Sequence, residues 1–134
     1  MRQRLDGIHV LLVEDDPDAL EFLSLILSQA GARVSPFGLA QPAYDFVVAN
    51  KDKPDIAVSD IAMPGQDGYS LLQKLRAWEH AEGRASVPAI AVSAFCREED
   101  VRRSIAAGFD RHWTKPVEAA HIVDQIGSWI AVSR

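Results

Sequence analysis

The amino-acid sequence predicts an α/β fold, a doubly wound parallel sheet of five strands carrying five helices. Three observations predict it. Short apolar runs rich in β-branched residues alternate along the chain with longer stretches of helical periodicity. Those runs end on polar residues or turn signals. A length of 134 residues, with 48% apolar and 25% charged side chains, suits a single core that buries roughly two thirds of the unfolded surface.

Ile8 to Val13 reads as a buried strand that exits into Glu14-Asp15-Asp16-Pro17, where Asp16 caps a helix and Pro17 opens it. That helix carries Leu20, Leu23, Leu27 and Ala30 on one stripe, with Phe22 and Ile26 beside it, and stops at Gly31. A short strand over Ala32 to Ser35 follows. Gln41-Pro42 opens a second helix with Ala43, Phe46 and Val47 at helical spacing, and Lys51 to Pro54 breaks it. Ile56 to Ser59 is too short for a helix and reads as a buried strand that ends on Asp60, before the Pro64-Gly65 turn. A third helix begins near Gly68-Tyr69, buries Leu71, Leu72 and Leu75, and gives way to a polar loop at Ala81. Val87 to Ser93 is the fourth strand. Glu98-Glu99-Asp100 put negative charge in the first turn of a fourth helix that ends at Gly108. Arg111 to Thr114 is a short fifth strand, and the last helix runs from about Val117 to Val132 with Ile122, Ile126, Trp129 and Ile130 toward a core.

Such alternation calls for a parallel sheet with right-handed crossovers and helices on both faces. The flavodoxin-like order 2-1-3-4-5 is the common solution for five units, and it sets the exits of strands one and three side by side at the switch point. Glu14, Asp15 and Asp60 then meet in one crevice.

Composition excludes several classes. The net charge of −5, without a basic run, argues against direct nucleic acid binding, and no apolar run approaches the length of a membrane span. The polar N-terminus lacks a signal-peptide core, and the single cysteine, Cys96, cannot form an internal disulfide, so a cytoplasmic location is expected.

Carboxylates about 4 Å apart repel by roughly 4 kcal/mol per pair at an effective dielectric near 20, so three together need protons or a cation. An all-oxygen cluster without His or Cys selects a hard ion, and Mg²⁺ is the expected occupant. Ser93 ends strand four with a hydroxyl, and Lys115 follows strand five with an ammonium. A metal, a lysine and a hydroxyl around one carboxylate supply what phosphoryl transfer requires, with Asp60 as nucleophile. Each residue also has a plainer reading: Asp15 and Asp16 as helix caps, Ser93 as a turn residue, Lys115 as a surface lysine.

With these residues in place, the chain resembles the receiver domain of two-component response regulators, as one domain over 1–134 with a core of about 7–132. The resemblance rests on Val13-Glu14-Asp15-Asp16, Ser59-Asp60-Ile61-Ala62-Met63-Pro64-Gly65, Ala91-Val92-Ser93-Ala94 and Thr114-Lys115-Pro116. It implies a signalling domain rather than an enzyme, in which Asp60 accepts a phosphoryl group from a phosphohistidine on a histidine kinase or histidine phosphotransfer domain. Mg²⁺ would be held by Asp15, Asp60 and the Ala62 carbonyl, with Glu14 acting through water. Ser93 and Lys115 would contact the phosphoryl oxygens, and the Lys115-Pro116 bond would be cis. Ala62 and Phe95 stand where the family tunes hydrolysis of the acyl phosphate, and neither hydrogen-bonds water, so slow decay is expected. Phosphorylation would switch the face of helix four, strand five and helix five, a face that also offers a homodimer contact. The wording around Asp6-Gly7 and Asp60 to Gly68 is similar to receivers of hybrid sensor kinases, and any output activity is expected on another chain or segment.

One position departs from the family. His112 stands where receivers carry a switching Tyr or Phe, three residues before the lysine. A neutral imidazole can swing inward as Ser93 moves toward phosphate, whereas a protonated one must shed water, so acidification would weaken the coupling. The alternative is a solvated surface histidine. For the whole chain the rivals are a haloacid-dehalogenase-type phosphatase, which wants a second Asp where Ala62 stands, a flavin module, and a receiver that only docks.

Overall fold

The computed structural model describes residues 4–49, 53–61, 67–94 and 97–133, without the side chains of 131–133. Its strands are His9–Val13 (β1), Arg33–Phe37 (β2), Ile56–Asp60 (β3), Ala89–Ser93 (β4) and Arg111–Thr114 (β5). Its helices are Pro17–Gln29 (α1), Ala40–Ala49 (α2), Gly68–Ala81 (α3), Glu98–Ala107 (α4) and Ala119–Ser133 (α5). All strand pairs are parallel and the order is β2-β1-β3-β4-β5. Both the fold class and the strand order agree with the sequence.

Because side chains alternate along a strand, each strand serves two cores. Val10, Leu12, Ile56, Val58, Ile90 and Val92 face α1 and α5, where they meet Leu27, Ile122, Ile126 and Ile130. Leu11, Val13, Ala57, Ala89 and Ala91 face the other helices and join Ala43, Val47, Leu71, Leu72, Leu75 and Ala107. β1, β3 and β4 are buried along their whole length, as a sheet covered on both sides requires.

Several boundaries move, each for a local reason. β2 lies at Arg33–Phe37 rather than 32–35, because the Ala32 N–H still closes α1 on Leu27 O and pairing begins with Arg33 N–H to Ile8 O. Pro36 sits opposite Leu12 on this edge strand, where a missing donor is tolerated. β4 starts at Ala89 rather than Val87, since the Val87 N–H goes to Glu79 Oε2 at 2.8 Å and Pro88 has no N–H. α2 begins at Ala40, before Gln41-Pro42, with Pro42 inside a first turn whose N–H groups lack helical partners. α5 begins at Ala119 rather than Val117, and its first turn closes by Ile122 N–H to Glu118 O. On α1 the stripe is buried at Leu27 and partly buried at Leu20, Leu23 and Ala30, while Phe22 beside it is 54% exposed.

An ionic knot fixes the end of the sheet opposite the strand exits. Arg76 on α3 pairs with buried Glu79 at 2.8 Å, donates to Gly108 O at 2.9 Å, and reaches Asp110 at 3.3 Å. Asp110 in turn accepts the Ala89 N–H at 2.9 Å. Gly108 caps α4 with φ +118, and a Cβ there would lie 2.7 Å from Arg76 Cγ. Arg76→Ala leaves the Glu79 charge buried without its cation, so unfolding in urea should show a loss of about 3 kcal/mol. A loss below about 1 kcal/mol would mean that the knot is ornamental.

Candidate functional site

The site forms where four strands end. The Glu14 N–H still donates to Phe37 O at 3.0 Å, so the β1–β2 ladder holds the residue after β1 in place and turns its carboxyl inward, 2% exposed. Asp15 stays exposed, and Asp16 caps α1 by accepting the Asp18 N–H at 3.2 Å. The plainer capping role therefore belongs to Asp16, and Asp15 is free for the cluster. Asp60 is the last residue of β3 and is buried. Carboxylate oxygens of Glu14, Asp15 and Asp60 all lie within 4.8 Å of one another.

Lys115 closes the cluster. Its Nζ lies 3.3 and 3.2 Å from the two Glu14 oxygens and 3.4 Å from Asp60 Oδ2. Its N–H donates to Ser93 O at 2.8 Å, which ties the exits of β4 and β5, and the Lys115-Pro116 bond is cis. Ser93 is buried, one residue beyond the register partner of Asp60 on the neighbouring strand. The Ala62 carbonyl expected at the metal, together with Met63, Pro64, Gly65 and Phe95, lies outside the described residues. His112 lies on β5 opposite Ala91, half-buried, with Nδ1 2.8 Å from Ser104 Oγ on α4. A fully solvated histidine is not what the fold holds there.

Gly68 matters more than its role as a helix start indicated. A Cβ on it would fall 2.5 Å from Asp60 O and 2.9 Å from Ile61 Cα. Only glycine lets α3 begin so close to the strand exit, where the Gly68 N–H donates to Ile61 O at 2.8 Å and Asp67 caps the helix through the Ser70 N–H. The Asp67-Gly68 pair ahead of an apolar helical pattern was the available signal.

Electrostatics follow from this crowding. Desolvation by burial raises the Asp60 carboxyl to about 7; the hydrogen bond with Asp15 and the Glu14 charge add to this, and Lys115 opposes it. Burial alone would lower the Lys115 ammonium, but Asp60 and Glu14 outweigh that and raise it, so the lysine stays charged. Three carboxylates against one ammonium leave the crevice short of positive charge. The donor set is all oxygen and suits a hard divalent cation such as Mg²⁺.

The comparisons with known proteins agree with this chemistry. Residues 10–127 match the family model of the response regulator receiver domain. The chain is 35% identical over 121 residues to an uncharacterized 14.6 kDa protein in the sodA1 3' region of Leptolyngbya boryana, covering 90% of this chain and 88% of that one. It is 35% identical over 125 residues to hybrid signal transduction histidine kinase D of Dictyostelium discoideum, covering 91% of this chain but 8% of that one. Among solved structures it is similar to the signal receiver domain of a histidine kinase from Syntrophus aciditrophicus, with TM-score 0.79, 27% identity, and 95% and 92% of the two chains covered. It also shares its fold, at TM-score 0.88 and 21% identity, with a chain of the co-crystal of the Saccharomyces cerevisiae histidine phosphotransfer signaling protein Ypd1 and the receiver domain of its downstream response regulator Ssk1; 96% and 92% of the chains are covered. With the family matched over most of its length and the acidic crevice at the strand exits, the chain belongs to the response regulator receiver domains of two-component signalling.

Proposed function

We propose that Asp60 is the phosphoacceptor of this receiver and takes its phosphoryl group from a phosphohistidine. The observation that carries this is the Asp60 carboxylate at the exit of β3, set between the Lys115 ammonium and the Glu14 and Asp15 carboxylates. An Asp60 oxygen attacks phosphorus, a P–O bond forms as the donor P–N bond breaks, and the electron pair returns to the imidazole nitrogen. Lys115 and Ser93 meet the phosphoryl oxygens as charge builds there. Asp15, Asp60 and Glu14, the last through water, would hold Mg²⁺ together with the Ala62 carbonyl, and the ion when bound supplies neutralisation of the phosphoryl oxygens. The domain signals rather than turns over substrate. Its family membership removes the phosphatase and flavin readings, and a receiver that only docks remains the rival.

The donor surface in this reading is the groove beside the site. Ala19, Phe22 and Leu23 of α1 face Val92, Ala94, Pro116 and Val117, and the groove runs onto Glu14 and Lys115. Phe22, on its wall, is 54% exposed. Apolar area continuous with the acceptor fits a helical histidine-bearing partner, a kinase or phosphotransfer domain. Output would use the α4–β5–α5 face, where Val101 and Ile105 are exposed and a homodimer contact has apolar area available. Among the described residues no helix is long and apolar enough to cross a membrane, and a cytoplasmic setting is part of the proposal.

Incubation with acetyl phosphate and Mg²⁺ should add one phosphoryl mass to the parent and none to Asp60→Asn, by intact mass spectrometry. An unlabelled parent would leave only docking. Phe22→Asp should slow transfer from a phosphorylated histidine phosphotransfer donor at least about tenfold while acetyl phosphate labelling stays within about twofold. Equal losses in both assays would place Phe22 in folding instead. The raised Asp60 group also sets a pH dependence: the folded state binds its proton more tightly than the unfolded chain, whose carboxylate titrates near 3.8. Without divalent ions, stability therefore falls as pH rises from about 4 to about 7, and the cost is fully present above 7. Asp60→Asn should be the more stable protein at pH 8, and denaturant titration should show that gain vanish toward pH 4.

A further inference from the structure

The segment ahead of β1 takes no part in the chemistry above, yet it reaches both α1 and α5 at the end of the sheet where β1 begins. We propose that α5 carries a guanidinium-binding notch at Gly127 and that Arg4 fills it, which makes the segment ahead of β1 a strap that pins α5. The strap is independent of Asp60 being the phosphoacceptor.

Gly127 lies in the middle of α5 and is buried. A glycine in a helix interior lowers the helical equilibrium about fourfold relative to alanine, so its presence needs a cause. Backbone conformation does not supply one. The described glycines with positive φ are Gly7, Gly31, Gly83 and Gly108, and Gly127 is not among them. Close approach does supply one. A Cβ on Gly127 would fall 2.6, 2.7 and 2.9 Å from Cζ, Nη1 and Nε of Arg4, and these are its three nearest neighbours. The guanidinium thus takes the space that a side chain at 127 would need. From there Nη2 donates to Ser128 Oγ at 2.8 Å and to Asp124 O at 3.3 Å, with Asp124 Oδ1 3.6 Å away. The ion pair with Asp124 is largely exposed and contributes little, which leaves the hydrogen bonds and the contact with the bare helix as the basis of the fit. A planar guanidinium meets those demands, and a lysine ammonium does not.

Leu5 secures the strap on its other side. It is fully buried in the core that α1 and α5 share, its N–H donates to Ala30 O at 2.7 Å, and its carbonyl accepts the Ile8 N–H at 3.1 Å. Two consecutive residues therefore hold the C-terminal end of α1 and the middle of α5. A slide of α5 along its axis carries the notch off Arg4. Removing Arg4, by contrast, leaves Ile122, Ile126 and Ile130 of α5 in the core. Drawing the segment ahead of β1 outward thus unpins α5 without unfolding it.

The test is a double-mutant cycle over Arg4→Ala and Gly127→Ala, with Arg4→Lys beside it, read as hydrogen-exchange protection of the α5 amides. Arg4→Ala should lower that protection about fivefold. Gly127→Ala should bring no gain in the parent, because the new methyl group evicts the guanidinium and its hydrogen bonds are lost. On the Arg4→Ala background the same substitution should raise protection at least about threefold, since helix propensity alone is left to act. Arg4→Lys should match Arg4→Ala within about twofold. An equal gain from Gly127→Ala on both backgrounds means that the notch and Arg4 are not coupled and overturns the proposal. Full protection in Arg4→Lys overturns it as well, because any cation would then serve.

Discussion

The structure depends on a shortage of positive charge at one end of the sheet. Glu14, Asp15 and Asp60 share a crevice with Lys115, and two of the carboxylates are buried, where water cannot dilute their repulsion. The protein tolerates this because each group is fixed by something else: Glu14 by the β1–β2 ladder, Asp60 by β3, Lys115 by its N–H on Ser93 O. A sheet that held them less rigidly would relieve the repulsion by moving them apart.

Rigidity of the exits is supplied by the rest of the molecule. Central strands buried along their length give the sheet no freedom to slide, and the Arg76, Glu79 and Asp110 knot ties the opposite end to α3 and to the cap of α4. Gly68 then lets α3 press against the Asp60 carbonyl itself. Asp60 is thus clamped on its main chain while its side chain stays open to the crevice.

Much of this was legible in the sequence. Five apolar runs with polar exits gave the sheet and the crevice, because strand period and turn chemistry are local properties. Less legible was whatever needed a neighbour. Phe22 sits at helical spacing with the core residues of α1, and spacing does not tell whether another helix covers that side. Glu79 has the sequence context of a surface charge, yet it is buried on Arg76 and the Val87 N–H. Ser104 reads as an ordinary helix serine until β5 brings His112 to it. The start of β4 moved for the same reason, since a side chain from α3 claims the N–H that pairing would have used.

The two faces of the sheet are built from different material. Toward α1 and α5 the central strands offer Ile56, Val58, Ile90 and Val92, whose branches mesh with Leu27, Ile122, Ile126 and Ile130 like gear teeth. Toward the other helices they offer Ala57, Ala89 and Ala91 beside Leu11 and Val13 of β1, and much of the bulk on that side comes from Leu71, Leu72 and Leu75 of α3. One face of the sheet therefore brings its bulk in branched strand residues, and the other takes much of its bulk from the helices that cover it.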